Sequence, residues 1–270
     1  FLRDTRRPVA YVPAYFGYER LLEGETYIDE LSGRPKQKET VGGLLRVLPQ
    51  LRRDLGRVYI NFGRPLLLDG ALDELKPDWR DDVNDESARP AWFGAAVDSV
   101  ASEIMRRINA AAAVTPINLL SVALLATPRQ AMLESDLEKL LQLYIDLLRA
   151  WPYSPDVSIV AEDGASIIRR VEQMGMIERR AHPLGDVLRM VEQNAVLATY
   201  YRNNVLHLFA LPSLVACAFL NNSTMRHEDV HRLVGRVYPY IRAELFLRWR
   251  EDELAGVVDG VLSALAGHGL

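Results

Sequence analysis

One cysteine, Cys217, is present among the 270 residues of this chain. A single thiol excludes an internal disulfide framework and is typical of proteins from reducing compartments. The surrounding segment, LVACAFL (214–220), is apolar. We therefore expect Cys217 to be buried and to pack as a small hydrophobic side chain.

Long apolar runs are also missing, since a helix that spans a membrane needs about 20 consecutive apolar residues. The nearest stretch, 205–220, is shorter and is interrupted by His207 and Pro212. It predicts either a pair of buried core helices or a segment that faces lipid or lines an acyl-chain pocket. The first residues, FLRDTRRPVAY, have neither the apolar core nor the cleavage site of a targeting signal, and they resemble the middle of a domain.

The chain contains no G-x-S-x-G, P-loop or G-x-G-x-x-G pattern, so neither a serine elbow nor a nucleotide site is supported. Basic patches interleaved with aromatic residues are missing too, and we expect no nucleic acid partner. The composition, 49% hydrophobic and 25% charged, is that of a globular protein. Residues 1–65 carry an excess of four positive charges, which suits a phosphate-bearing substrate and equally an ordinary solvated surface.

The first quarter of the chain has the pattern of two strands joined by a helix. Residues 8–17 are β-branched and aromatic, 40–56 have leucines at helical spacing, and 57–63 (RVYINFG) again favour a strand. Strand–helix–strand at this length predicts a parallel βαβ unit. We expect residues 1–75 to form the closing edge of an α/β domain that begins upstream.

Residues 76–90 are acidic and bounded by prolines, which indicates a linker, and 91–270 predict a mainly α-helical domain. A small hairpin at 176–180 and 187–190 is expected inside that domain. The helices are predicted at about 90–114, 116–126, from Thr127 or Ser135 to 151, 164–174, 192–209, 212–221, 225–242 and 251–266.

Two polar segments of the first quarter are candidate binding elements. Gly17-Tyr18-Glu19-Arg20 ends a strand, where ligand sites of α/β folds are found, and an arginine there suits a phosphate. A structural Glu19–Arg20 ion pair is the alternative. The second segment, 34–39 (RPKQKE), places three cations in a loop that either contacts phosphate or is a solvated turn.

Five segments together resemble the glycerol-3-phosphate acyltransferases, and most closely the large bacterial membrane-associated type. The first, VAYVPAYFGYERLLEGETYIDELSGRPKQKE (9–39), is similar to the fourth conserved block of that family. The others are RVYINFGRPLLL (57–68), 89–126, ATYYRNNVLHLFALPSL (198–214) and AELFLRW (243–249). The resemblance implies an α/β acyltransferase edge followed by a helical domain.

The family's reaction implies the partners and the location. A fatty acyl group moves from acyl-CoA or acyl carrier protein to the sn-1 hydroxyl of glycerol 3-phosphate and gives lysophosphatidic acid for phospholipid synthesis. A peripheral position on the cytoplasmic face of the inner membrane follows, with no cofactor. The resemblance implies substrate contacts from Pro13, Tyr18, Glu19, Arg20, Lys36 and Lys38.

The family's catalytic pair, a histidine that acts as general base and an aspartate that orients it, lies in an H-x-x-x-x-D block. None of the five histidines has that spacing, and the nearest, His182, has Asp186 one position too early. The resemblance therefore places the catalytic pair upstream of Phe1, and we expect this segment alone to be inactive. The alternative is a non-catalytic helical scaffold or partner-binding module.

Two further groups of polar residues have open roles. Tyr200, Asn203, Asn204 and His207 share one helical face and predict a hydrogen-bonded network, either purely structural or forming a wall of the site. The segment 227–231 (HEDVH) matches the zinc pattern H-E-x-x-H. No downstream glutamate stands out as a third ligand. We therefore expect a charged, solvent-facing helical turn and no metal, with a zinc peptidase as a distant alternative.

Overall fold

The computed structural model of the chain describes residues 8–21, 56–82, 90–160 and 163–270. Within these ranges the protein is mixed α/β, with long helices and small sheets. The helices are α1 (Leu68–Leu75), α2 (Trp79–Asp82), α3 (Phe93–Ala110), α4 (Pro116–Leu125), α5 (Glu134–Ala150), α6 (Gly164–Gln173), α7 (Ala195–Ala218), α8 (His227–Leu245) and α9 (Leu254–Gly267). The strands are β1 (Ala10–Tyr11), β2 (Ala14–Tyr18), β3 (Val58–Phe62), β4 (Leu66–Leu67), β5 (Ala113–Val114), β6 (Ala131–Leu133), β7 (Ser158–Ile159), β8 (Ile177–Arg180) and β9 (Val187–Met190).

The strands β2 and β3 pair in antiparallel orientation. The Gly63 amide donates to the Pro13 carbonyl (2.8 Å) and the Glu19 amide to the Arg57 carbonyl (3.0 Å), which lengthens the ladder at both ends. The predicted parallel βαβ unit is therefore wrong. The connection is long enough for a crossover helix, but its length does not determine strand direction. The helix predicted at 40–56 lies outside the described residues except for its last position.

Pro13 divides the front segment, for which one strand over residues 8–17 was predicted. The segment forms β1 and β2, separated by Val12 and Pro13. Proline has no backbone N–H to donate, so it fits between two strands better than inside one. The strand β1 pairs with β4, and β2 pairs with β3.

The β2–β3 pair has one covered face and one exposed face, because successive side chains of a strand point to opposite sides. Tyr15 and Gly17 are buried on the covered face. The other face presents large apolar side chains to solvent, and we call it the apolar strand face. Its exposed members are Phe16, Val58, Ile60 and Phe62.

The helical part is built around α4, which is hydrophobic on all sides and therefore buried. The helices α5, α6 and α7 pack against it. One core cluster extends from this centre to Tyr15 of β2, so the front strands share the core of the helical part.

The helix α7 continues through Pro212, where the sequence predicts a break between two helices. Proline removes one helical hydrogen bond, and Pro212 is buried in a helix that packs along α4, α8 and α9. These contacts keep the helix continuous. Cys217, expected to be buried, is exposed on this helix. Among the described residues, no helix is long and apolar enough to cross a membrane.

The predicted hairpin is confirmed, since β8 and β9 pair antiparallel. A third strand, β6, joins the hairpin by pairing with β9. It lies in a stretch for which the sequence predicts a helix that begins at Thr127. Arg129 and Gln130 have positive φ angles, 56° and 52°, and the chain therefore turns before it can enter a helix. The helix α5 begins at Glu134, so Ser135 lies inside the helix and does not cap it.

The predicted linker at 76–90 contains the short helix α2 and the buried side chain of Trp79. The indole N–H of Trp79 donates to Asp73 Oδ1 (2.9 Å). Trp79 packs in a second cluster with Leu68, Leu72 and Ala96. The division into 1–75, a linker and 91–270 stays a prediction.

Candidate functional site

Pro13, the first of the substrate contacts that the family resemblance implies, is buried. Gly63 lies directly beside it, because a Cβ on Gly63 would come 2.7 Å from the Arg107 carbonyl oxygen and 3.4 Å from Pro13 Cβ. Only glycine fits this approach without a shift of the backbone. Pro13, whose carbonyl accepts from the Gly63 amide, therefore lies where the β2–β3 pair meets α3.

Tyr18 and Glu19 occupy opposite sides of the strand. Tyr18 is half-buried and pairs with Val58 on the apolar strand face. Glu19 follows β2 and is only 2% exposed, on the covered side. The structure therefore does not bring these two predicted site residues together. Arg20 is half-buried at the bend after the strand. Lys36 and Lys38 lie outside the described residues.

The Glu19 carboxylate is surrounded by protein donors. Its Oε2 accepts from Arg170 Nη2 (2.6 Å), Arg170 Nε (3.2 Å) and the Arg57 amide (3.0 Å). The Tyr59 hydroxyl donates to Oε1 over 3.4 Å. Burial first, and then the charge of Glu19, raise the pKa of Tyr59, so its hydroxyl stays protonated and available as a donor. A buried carboxylate needs hydrogen-bond donors and a positive charge of this kind, because burial without them is costly.

Arg170 is the partner of Glu19 that the sequence did not reveal. It lies on α6, 151 residues away from Glu19, and its side chain is 23% exposed. The ion pair joins the end of β2 to the helical part. Gly56 completes the arrangement: its φ is +69°, and a Cβ there would approach Glu19 Cβ to 2.8 Å. No spacing rule connects two residues so far apart in sequence.

A second link between the strand end and the helical part runs through Tyr201. Its hydroxyl accepts a hydrogen bond from the Leu21 amide (2.8 Å), and its carbonyl accepts from Asn118 Nδ2 (2.8 Å). Burial raises the pKa of Tyr201, an effect that the Leu21 hydrogen bond and the charge of Arg20 partly offset. The main chain after Arg20 is thus fixed by a tyrosine of α7.

The polar face predicted on α7 is only partly buried. His207 is buried, whereas Asn203 is exposed, and Tyr200 and Asn204 are half-buried. The buried tyrosine is the neighbouring Tyr201. His207 favours the structural alternative for the group, because it hydrogen-bonds the Asn109 carbonyl of another helix, while the Asn203 side chain accepts from the neighbouring Arg202.

His207 is held as a neutral side chain. Its Nε2–H donates a hydrogen bond to the Asn109 carbonyl (3.0 Å), and the ring contacts Tyr153 edge-on. Burial lowers the pKa of His207 to about 4, and the Asn109 hydrogen bond only partly opposes this. A neutral imidazole of this kind links α3 to α7 from a position that is only 4% exposed.

One group in the described part of the chain has the composition of a metal site. His227 and His231 of α8 and Asp259 of α9 place their ligand atoms within 4.8 Å of one another. The hydrogen bond from His231 first, and that from His227, lower the pKa of Asp259 below its usual value. Spacing within the H-E-x-x-H segment could not reveal Asp259, because it belongs to another helix.

Comparison with known proteins gives a consistent match. A family model described as the glycerol-3-phosphate acyltransferase C-terminal region matches residues 27–270. A protein named glycerol-3-phosphate acyltransferase from Pseudomonas paraeruginosa (strain DSM 24068 / PA7) is 47% identical over 270 residues, which cover 100% of this chain and 32% of that protein. One of the same name from Pseudomonas putida (strain GB-1) is 45% identical, with 100% and 33% covered. The chain thus spans about a third of the length of these relatives.

We predict that Glu19→Gln and Arg170→Met each lower the free energy of unfolding by about 2–3 kcal/mol, because each removes the charge-assisted hydrogen bonds of a largely buried ion pair. Equilibrium urea unfolding measures the change. The double variant should lose less than the sum of the two. Glu178→Gln, which breaks an exposed pair with Arg180, is the control and should change the value by less than about 1 kcal/mol. Losses of unfolding free energy as small for Glu19→Gln and Arg170→Met as for Glu178→Gln would show that the Glu19–Arg170 pair does not stabilise the fold.

We predict that His207 makes stability depend on pH between about 6.5 and about 4. The unfolded chain takes up a proton below pH 6.5 while the folded chain does not, so the stabilisation is complete above this window and is lost as the pH falls. The loss reaches about 1.4 kcal/mol per pH unit. Unfolding curves of wild type and His207→Gln over this range measure it.

The difference in unfolding free energy between wild type and His207→Gln should shrink as the pH falls. His182→Gln, at an exposed histidine, is the control and should leave the pH dependence unchanged. Parallel pH profiles for wild type and His207→Gln would show that His207 is not held neutral by burial.

Proposed function

The chain belongs to the glycerol-3-phosphate acyltransferase family, and we propose that it is the C-terminal third of a glycerol-3-phosphate 1-O-acyltransferase. The enzyme moves a fatty acyl group from acyl-CoA or acyl carrier protein to the sn-1 hydroxyl of glycerol 3-phosphate. The observation that carries the proposal is identity of 47% over all 270 residues with a protein of that name.

The chain supplies two parts of this enzyme. Residues 1–75 complete the edge of an α/β acyltransferase domain, and 91–270 form a helical domain that braces it. The apolar strand face supports the first of these roles. Phe62 there is 69% exposed, as expected for a sheet edge that another part of the domain covers. Since the relatives are about three times as long, the rest of the full-length protein has the material to cover this face and to supply the catalytic histidine and aspartate.

Within this arrangement, Arg20 binds the phosphate of glycerol 3-phosphate and Tyr18 lies beside it. Pro13 fixes the start of the same strand. Glu19 is a positioning residue and not a substrate contact, since its carboxylate already accepts from Arg57, Tyr59 and Arg170. The network around Glu19 sets the direction in which Arg20 leaves the strand. Lys36 and Lys38 contribute positive charge for the phosphates of the acyl donor or for the membrane.

The enzyme acts as a peripheral protein on the cytoplasmic face of the inner membrane. The helix α8 carries a stripe that suits such a surface: Leu233, Val237 and Tyr240 are exposed at spacings of four and three residues. Arg232 and Arg236 are exposed beside this stripe. An apolar face with flanking cations favours binding in the interface of an anionic bilayer.

We predict that Arg20→Ala in the full-length protein raises the KM for glycerol 3-phosphate about tenfold or more, because a charge-assisted hydrogen bond to phosphate contributes about 1.5–3 kcal/mol. The kcat should change little. Initial rates of acyl transfer at saturating acyl-CoA, measured against glycerol 3-phosphate, give both constants.

The control is Arg250→Ala, at an exposed arginine paired with Asp252, which should leave KM unchanged. An unchanged KM for Arg20→Ala with a normal thermal unfolding curve would remove Arg20 from the phosphate site. Absence of acyl transfer by the wild-type full-length protein would overturn the function itself and favour a scaffold.

A further inference from the structure

The surface where α8 meets α9 brings together two histidines and a carboxylate that the proposed acyl transfer does not use. His227 and His231 lie four residues apart, so both project from the same face at the start of α8. Asp259 projects towards them from the middle of α9. The acid is 28 residues from the nearer histidine in sequence, and only the packing of the two helices unites the three.

The distances are close to those that one metal ion requires. Asp259 Oδ1 lies 2.8 Å from His231 Nε2 and 3.3 Å from His227 Nδ1. Tetrahedral zinc with bonds of about 2.0–2.1 Å separates its ligand atoms by about 3.3 Å. The two imidazole nitrogens lie within 4.8 Å of each other. Side-chain rotations that widen the shorter distance by about half an ångström and bring these two nitrogens to the same separation would admit the ion.

The three side chains belong to helices that pack against the core. Val230 precedes His231 and Val258 precedes Asp259, and both valines are completely buried. The backbone beneath His231 and Asp259 is thus fixed by the core, while the ligand atoms stay at the surface. Preorganised side chains on helices lose less freedom when they bind an ion than side chains on loops do.

The donor set selects the class of ion. Two imidazole nitrogens with one carboxylate oxygen suit Zn²⁺ and its neighbours Co²⁺, Ni²⁺ and Cu²⁺, whereas Mg²⁺ and Ca²⁺ prefer sites built from oxygen. His227 is 73% exposed and Asp259 49%. Solvent therefore reaches the ligands, and water would occupy the remaining coordination positions.

We propose that His227, His231 and Asp259 form a binding site for one divalent transition-metal ion of the zinc class, which clamps the start of α8 to α9. From the sequence we expected a charged turn without metal, because no third ligand was apparent near His231. In the fold, Asp259 of α9 provides that third ligand. The proposal is independent of acyl transfer. Nothing in it requires Glu228 as a catalytic base, so the peptidase alternative is not revived.

The test uses the full-length protein, purified without a histidine tag and treated with chelator. Isothermal titration with Zn²⁺ should show saturable binding at this site, and Co²⁺ should produce the visible absorption of tetrahedral coordination. His227→Gln and Asp259→Asn should each weaken Zn²⁺ binding about tenfold or more. Zn²⁺ should also raise the unfolding temperature of wild type more than that of these variants at the same Zn²⁺ concentration, because only the folded site binds the ion.

The matched control is His182→Ala, which removes an exposed histidine outside the group and should bind Zn²⁺ as wild type does. Both substituted ligands are substantially exposed, so the variants should fold, and thermal unfolding without metal checks this. Equal Zn²⁺ affinity in wild type, His227→Gln and Asp259→Asn would overturn the proposal. It would show that the three side chains are joined only by hydrogen bonds at the surface.

Discussion

A carboxylate with 2% exposure, that of Glu19, lies between the front strands and the helical part of this protein. An isolated buried charge is costly, and the effective penalty in proteins is several kcal/mol per ion. Here the cost is offset by the guanidinium of Arg170 and by donors from Arg57 and Tyr59. The interaction is satisfied only when β2, β3 and α6 all occupy their places, so it joins these elements in one arrangement.

The geometry around this pair also holds the strand end, where we propose the phosphate site, in a defined position. Gly56 has the positive φ that brings the chain alongside Glu19, and the Tyr201 hydroxyl fixes the amide of Leu21. Arg20 lies between these two anchors. The side chain of the proposed phosphate ligand therefore starts from a backbone that is held on both sides, which reduces the freedom it loses on binding.

The sequence predicts those features that local pattern determines. The family resemblance is confirmed by the match over residues 27–270, and the hairpin of β8 and β9 and the termination of α6 near Gly175 follow from turn residues. Strand direction in the β2–β3 pair is not a local property, and the parallel prediction was wrong. The helix break predicted at Pro212 was also wrong, because packing of α7 along α4 outweighs one missing hydrogen bond.

The partners of the site residues could not be predicted, because they are distant in sequence. Arg170 meets Glu19 across 151 residues, and Asp259 meets His231 across 28. In both cases the sequence identifies one member of the group and the fold supplies the other. Glu19 shows the consequence: a strand-end glutamate predicts a substrate contact, whereas its surroundings support a role in positioning.

The central claim is that the Glu19–Arg170 pair holds the front strands on the helical part. Hydrogen exchange of the full-length protein, compared between wild type and Arg170→Met, tests it most directly. Amides of β2 and β3 should exchange faster in the variant, while those of α4 and α9 keep their protection. Arg180→Met, at an exposed pair, is the control. Unchanged exchange in β2 and β3 of Arg170→Met would contradict the claim.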